Sequence, residues 1–90
     1  MIKPVFIGAS WCAPCKTTYP LFERVCSAEG LEWESFDVET GGIYTADVRS
    51  VPTIRVYAAD DPYGEPLAEH RGGATAEEIS ALFERGRALV

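Results

Sequence analysis

Long apolar runs are missing. Nothing approaches the roughly 18 residues that a membrane-spanning helix needs, and the opening "MIKPVFIGAS" holds one lysine and only a short apolar stretch. This reads as a soluble protein with no signal peptide and no membrane partner. Basic clusters are missing too: 8 Lys and Arg are scattered among 14 Asp and Glu for a net charge of -6, which argues against nucleic acid as a partner. Cysteines are few and odd in number, three in all, where a disulfide-stapled secreted domain carries an even set. That favours a reducing, cytoplasmic setting and cysteines kept for chemistry. No repeat, low-complexity tract or linker divides the chain, and 90 residues bury only roughly 60 to 65% of their unfolded surface. Residues 1–90 therefore read as a single domain, and with 47% apolar and 11% aromatic residues they have the means to build one core.

Hydrophobic periodicity sets out the elements. "IKPVFI", Ile2 to Ile7, is a strand by length, with Pro4 at a position that needs no ladder bond. From Ala13 to Ala28 the spacing turns helical through Cys15, Tyr19, Phe22 and Cys26, widened by Leu21 and Val25, and Gly30 supplies a stop. Pro20 falls inside this helix, where a kink is expected. A second strand is read over Leu31 to Glu39, and "TGGIYTADVRS" is a loop with one short helical turn. "TIRVYA", Thr53 to Ala58, is a β-branched third strand. The turn formers of "DDPYGEP", Asp60 and Asp61 among them, join it as a hairpin to a fourth, "LAEHR". A final helix opens on Thr75 as N-cap with Glu78 three residues on, a capping box, and shows Ile79, Leu82, Phe83 and Leu89 as its apolar face. Glu77 and Glu78 suit the positive end of that helix. The order β-α-β then β-β-α predicts an α/β fold with a mixed four-stranded sheet, the first two strands parallel and the last two antiparallel, and one helix on each face.

Cys12 then lies where the first strand hands over to the first helix, within "SWCAPCK". A thiolate attacks disulfides and a thiol does not, so a redox pair must lower the pKa of one cysteine. The helix dipole contributes ~0.3 to 1 kcal/mol, too little alone. Hydrogen bonds from unpaired first-turn amides, at roughly 1.5 to 3 kcal/mol each to a charged group, supply more. Cys12, beside solvent at the start of the first turn, is the better-placed nucleophile. Cys15, one turn deeper, is placed to resolve the mixed disulfide. Pro14 has no amide to leave unpaired in that turn, and Lys16 adds positive potential. Two other readings compete: half a zinc site, for which only Cys26 and His70 remain as further cysteine or histidine ligands, and two inert core cysteines at a corner.

These residues resemble the thioredoxin superfamily. "WCAPCK" is similar to its "WCGPCK", Pro20 stands at the place of its helix prolines, "RSVPT" resembles the segment before its third strand, and Gly73 in "GGA" matches its glycine before the last helix. The likeness covers essentially the whole chain, at a length closer to a glutaredoxin. It implies a thioredoxin-like fold, a cis Val51–Pro52 bond beside the active cysteine, and an apolar substrate patch of Trp11, Ala13, Pro14, Val51, Pro52, Gly73 and Ala74, with Lys16 and Pro20 in support. It further implies reduction of protein disulfides through Cys12 and Cys15 by a monomer with no bound cofactor. Electrons would come from NADPH through thioredoxin reductase and pass to enzymes such as ribonucleotide reductase. Glutathione as reductant, or a non-enzymatic CxxC metal-binding module, are the alternatives.

Two positions depart from the family pattern. Phe6 stands where that family keeps a buried aspartate, and Ser35 where it keeps the partner lysine. Deprotonation of Cys15 is therefore expected to rely on water or another group, with slower release of the mixed disulfide, an expectation that titration with a carboxylate such as Asp37 would overturn. Trp33 reads as packing. Arg49, before the Val-Pro pair, reads equally as a substrate contact or a solvated side chain.

Overall fold

The computed structural model describes residues 1–62 and 64–90; Tyr63, inside the "DDPYGEP" turn, lies outside them. Strand β1 spans Ile2–Gly8, helix α1 Ala13–Ala28, strand β2 Glu34–Asp37, a 3-10 turn Gly42–Tyr44, strands β3 Thr53–Ala58 and β4 Ala68–Arg71, and helix α2 Ala76–Arg87. The sheet order is β2-β1-β3-β4, with β1 parallel to β2 and antiparallel to β3, and β3 antiparallel to β4. This is the mixed four-stranded sheet read from the sequence.

The ends of α1 follow from local chemistry. It runs through Pro20 as one segment. Gly30 takes φ +67°, its amide donates to the Ser27 carbonyl and the Leu31 amide donates to the Cys26 carbonyl, which together form a Schellman stop. Because Leu31 is spent on that stop and on the core, β2 begins only at Glu34, shorter than the expected Leu31 to Glu39. Thr75 and Glu78 cap α2 reciprocally as the sequence indicates.

The two helices do not take one face each. Both pack on the same side of the sheet, where the rings of Phe22 in α1 and Phe83 in α2 meet edge to face at 6.1 Å over Ile2, Phe6, Ile54 and Val56. The right-handed crossover rule places α1, but it does not bind α2, which follows a hairpin. What places α2 is β3, whose alternate residues Ile54 and Val56 are apolar while Arg55 between them is charged. Gly86 lies so close to Val56 that a Cβ on it would come within 2.5 Å of Cγ1. Gly86 completes the buried stripe of α2, and Leu89, expected there, lies past the helix end and is exposed.

The opposite face, built on Val5, Ile7 and Tyr57, is covered by Phe36, Val38, Val48 and Val51 from β2 and the segment after it. Arg55 fastens that cover. Its guanidinium is buried, pairs with Asp47 through two nitrogens at 2.9 and 3.2 Å, and donates to Glu69 at 2.7 Å. Burial disfavours its charge, yet hydrogen bonds with Asp47, Glu69 and Tyr57 outweigh that and raise its pKa. The hydrogen bond from Arg55 lowers the pKa of Asp47; for Glu69, burial raises it but the bonds from Arg55 and Arg71 prevail and lower it. Both carboxylates thus lend stability above the ordinary carboxylate range, and it is lost as pH falls through their lowered folded values. Asp47 is largely exposed, so water screens its share. Arg55→Met is expected to cost about 1 to 3 kcal/mol at pH 7, and the deficit should shrink toward pH 3 in urea unfolding.

Candidate active site

Cys12 is the N-cap of α1, in extended conformation with φ -92° and ψ 108°, and Pro14 occupies the first turn. The Cys12 amide donates to the Ala9 carbonyl, and the Cys15 amide donates to Cys12 Sγ at 3.2 Å. The two cysteines form a disulfide, their Cα atoms 5.3 Å apart. No carboxylate lies in the first turn of α1, so nothing there competes with a Cys12 anion for the first-turn amides. One expectation is corrected: Cys12 is not beside solvent in this closed state. It is 4% exposed and Cys15 5%. A sulfur at an N-cap turns inward to meet the amide of the third helical residue, and the cluster holding both sulfurs is flanked by Ala9, Val51 and Ala74.

The loops around the pair come together through specific bonds. The Val51–Pro52 peptide is cis. Thr53 Oγ1 donates to the Ser50 carbonyl across it, and the Gly72 amide donates to the Pro52 carbonyl at 2.7 Å. Gly73 in turn faces α1: a Cβ there would lie 4.0 Å from Pro14 Cβ and 3.5 Å from Thr18 Oγ1. His70 Nε2 lies 3.1 Å from the Gly73 carbonyl, which engages the histidine weighed as a zinc ligand; among the described residues no group of three or more His, Cys, Asp or Glu is placed to hold a metal. Trp11 is 65% exposed and its Nε1 donates to Glu39 Oε1 at 3.3 Å. Ala13, Pro14 and Gly73 are exposed, Val51 and Ala74 half-buried, and Pro52 buried. Lys16, Pro20 and Arg49 are exposed, while Trp33 packs against the main cluster.

Behind the disulfide runs an open groove of about 400 Å³ lined by Phe6, Cys15, Tyr19, Ser35, Phe36 and Asp37, with Lys16 at its margin. Phe6, where the resemblance leads one to expect a carboxylate, stands in an aromatic cluster, its ring 5.0 Å from Tyr19 and 5.5 Å from Phe22. Gly8 leaves the passage open, since a Cβ there would come within 3.2 Å of Cys15 Sγ and 2.8 Å of Phe6 Cε1. Sequence reasoning missed Gly8 and Glu39 as parts of the site; a glycine closing a strand just before a CxxC is the one local signal among them.

Cys26 is fully buried in α1. Burial, with the nearby charges of Glu29 and Glu23, pushes its thiol up to about 12. The native protein with its disulfide closed should therefore resist iodoacetamide at pH 8 and take up one equivalent once unfolded in guanidinium. Unfolding exposes a thiol with the ordinary pKa near 9, so this site withdraws stability as pH rises above that value. Rapid native labelling would contradict the burial.

No family model matches the chain. A curated thioredoxin from Coprinus comatus is 27% identical over 85 residues, covering 89% of this chain and 76% of the relative. Among solved structures, the Fasciola hepatica thioredoxin superposes with a TM-score of 0.76 at 20% identity over 93% of this chain and 80% of that one. The oxidised Plasmodium falciparum thioredoxin gives 0.74 at 24% identity, over 93% and 79%. The chain has a thioredoxin-like fold. A chloroplastic thioredoxin z superposes equally well, at 0.76 and 21% identity over 98% and 80%. The thioredoxin-like fold carries the Cys12–Cys15 pair at the start of α1.

Proposed function

We propose that the protein is a reductant of protein disulfides, recycled by a thioredoxin reductase that draws on NADPH, acting in the cytoplasm on enzymes such as ribonucleotide reductase. The observation that carries the reading is the hydrogen bond from the Cys15 amide to Cys12 Sγ at the start of α1. In the reduced protein that amide stabilises a Cys12 thiolate. The thiolate attacks one sulfur of the substrate disulfide, a Cys12–substrate bond forms, and the other substrate sulfur leaves as thiolate. Cys15 then attacks Cys12 Sγ, closing the Cys12–Cys15 disulfide and releasing the second substrate thiolate, so two electrons pass to the substrate. Trp11, Ala13, Pro14, Val51, Pro52, Gly73 and Ala74 offer a shallow, partly apolar platform. The backbone of Val51 would pair with an extended substrate segment as an added strand.

Insulin reduction with NADPH and thioredoxin reductase, run beside the same assay with glutathione, NADPH and glutathione reductase, tests this. Turnover is expected with the first system. Turnover only with glutathione would move the protein to the glutaredoxin-like alternative, and none with either would remove the reductase reading.

A further inference from the structure

We infer that Asp37 accepts the Cys15 proton through water in the groove behind the disulfide; this rests on the dithiol exchange proposed above. With both sulfurs almost wholly buried in the closed pair, the groove is the side from which water reaches Cys15. Gly8 and Asp37 are direct partners in the parallel ladder of β1 and β2, so their side-chain positions point to the same face about 5 Å apart. The Gly8 position lies 3.2 Å from Cys15 Sγ and carries no side chain. The Asp37 carboxylate and Cys15 thus line the same open groove, where water can stand between them. Asp37 Oδ1 accepts from the Glu39 amide at 2.8 Å; among the described residues Oδ2 has no partner. Asp37 is the only carboxylate lining the groove among the described residues.

The other titratable or charged groups about this space are Lys16 and Tyr19 on α1 and Glu39 beyond β2. Lys16 presents only donors and favours a nearby anion. Tyr19 lies against Phe6, and Glu39 is held by Trp11 Nε1. In the mixed disulfide the Cys15 proton passes through water to Asp37, and the Cys15 thiolate attacks Cys12 Sγ. The Cys12–substrate S–S bond then breaks and the Cys12–Cys15 bond forms. The departing thiolate takes a proton from solvent, and Asp37 returns its own proton to solvent.

Reaction of the reduced protein with 5,5′-dithiobis(2-nitrobenzoate) separates the steps: a first thionitrobenzoate release reports attack by Cys12, a second reports attack by Cys15. Asp37→Asn keeps an oxygen to accept the Glu39 amide. It should leave the first phase within about twofold, slow the second about tenfold or more at pH 7, and shift the pH profile of the second phase to higher pH. Asp37→Glu should recover most of the lost rate. An unchanged second phase, an equal slowing of both, or a slowing with an unaltered pH profile would overturn the role of Asp37. A wild-type protein that shows no second release would instead overturn the dithiol exchange itself.

Discussion

Cys12→Ser is expected to lower disulfide reduction by on the order of a thousandfold or more, because the nucleophile is removed and neither remaining thiol replaces it. Cys15 is 5% exposed and lies one turn inside the helix, and Cys26 is fully buried with a thiol pushed up to about 12. Cys15→Ser has a different signature. It keeps the attacking sulfur and the helix-start amide that supports it, since the Cys15 bond to Cys12 Sγ comes from the backbone, so the protein should accumulate as a mixed disulfide with its substrate. Intact mass measurement after exposure to a disulfide peptide should show one adduct on Cys15→Ser, mapped to Cys12, and none on Cys12→Ser. A stable adduct on Cys15 in Cys12→Ser would reverse the two roles.

The second large effect lies in the core. Phe22 is fully buried and joins both helices to the sheet, with ring centroids 5.5 Å from Phe6, 6.1 Å from Tyr19 and 6.1 Å from Phe83. Phe22→Ala removes the shared member of these pairs and leaves a cavity that a sheet and two helices cannot all collapse into. Its expected cost is about 3 to 5 kcal/mol, against a total of roughly 5 to 13 kcal/mol for a chain of this size. Urea unfolding should show a midpoint lowered by roughly a quarter or more. Because α1 carries the redox pair at its start, the variant should also lose activity on mild warming, before the wild type does. A cost under about 1.5 kcal/mol would mean that the two helices do not share this aromatic contact.

What was legible in the sequence was what is decided within a turn or two of chain. The Thr75–Glu78 box, the Gly30 stop, the Cys12 N-cap and the β-branched Thr53–Ala58 strand depend on neighbours three to five residues away, and each stands where its residues indicate. The sheet followed too, because a crossover helix and a hairpin restrict strand direction. Contacts that cross the fold were not legible. The shared face of α1 and α2 is set by which side of β3 is apolar, and the exposure of Leu89, expected on the apolar face of the last helix, follows from Gly86 taking the last buried place. The burial of Cys12 depends on Val51 and Ala74 arriving from distant loops. The Asp47–Arg55–Glu69 cluster and the pairing of Asp37 with Gly8 beside the groove depend on register between strands, and no local spacing encodes register.

These long-range features bear on function more than the motif alone does. Other residue pairs could bring two cysteines within bonding distance. What distinguishes this one is a helix-start amide on Cys12, a glycine-lined passage to Cys15, and the Pro52–Gly72 bond that closes the neighbouring loops over them.

The most direct test of the account is the electron balance of a single turnover. Fully reduced protein is mixed with an equimolar disulfide peptide, quenched in acid, alkylated and measured by intact and tryptic mass. The account predicts that each peptide disulfide opened is matched by one Cys12–Cys15 disulfide formed, with Cys26 recovered as a free thiol throughout. Peptide reduction without closure of that pair, closure involving Cys26, or no reduction at all would contradict it.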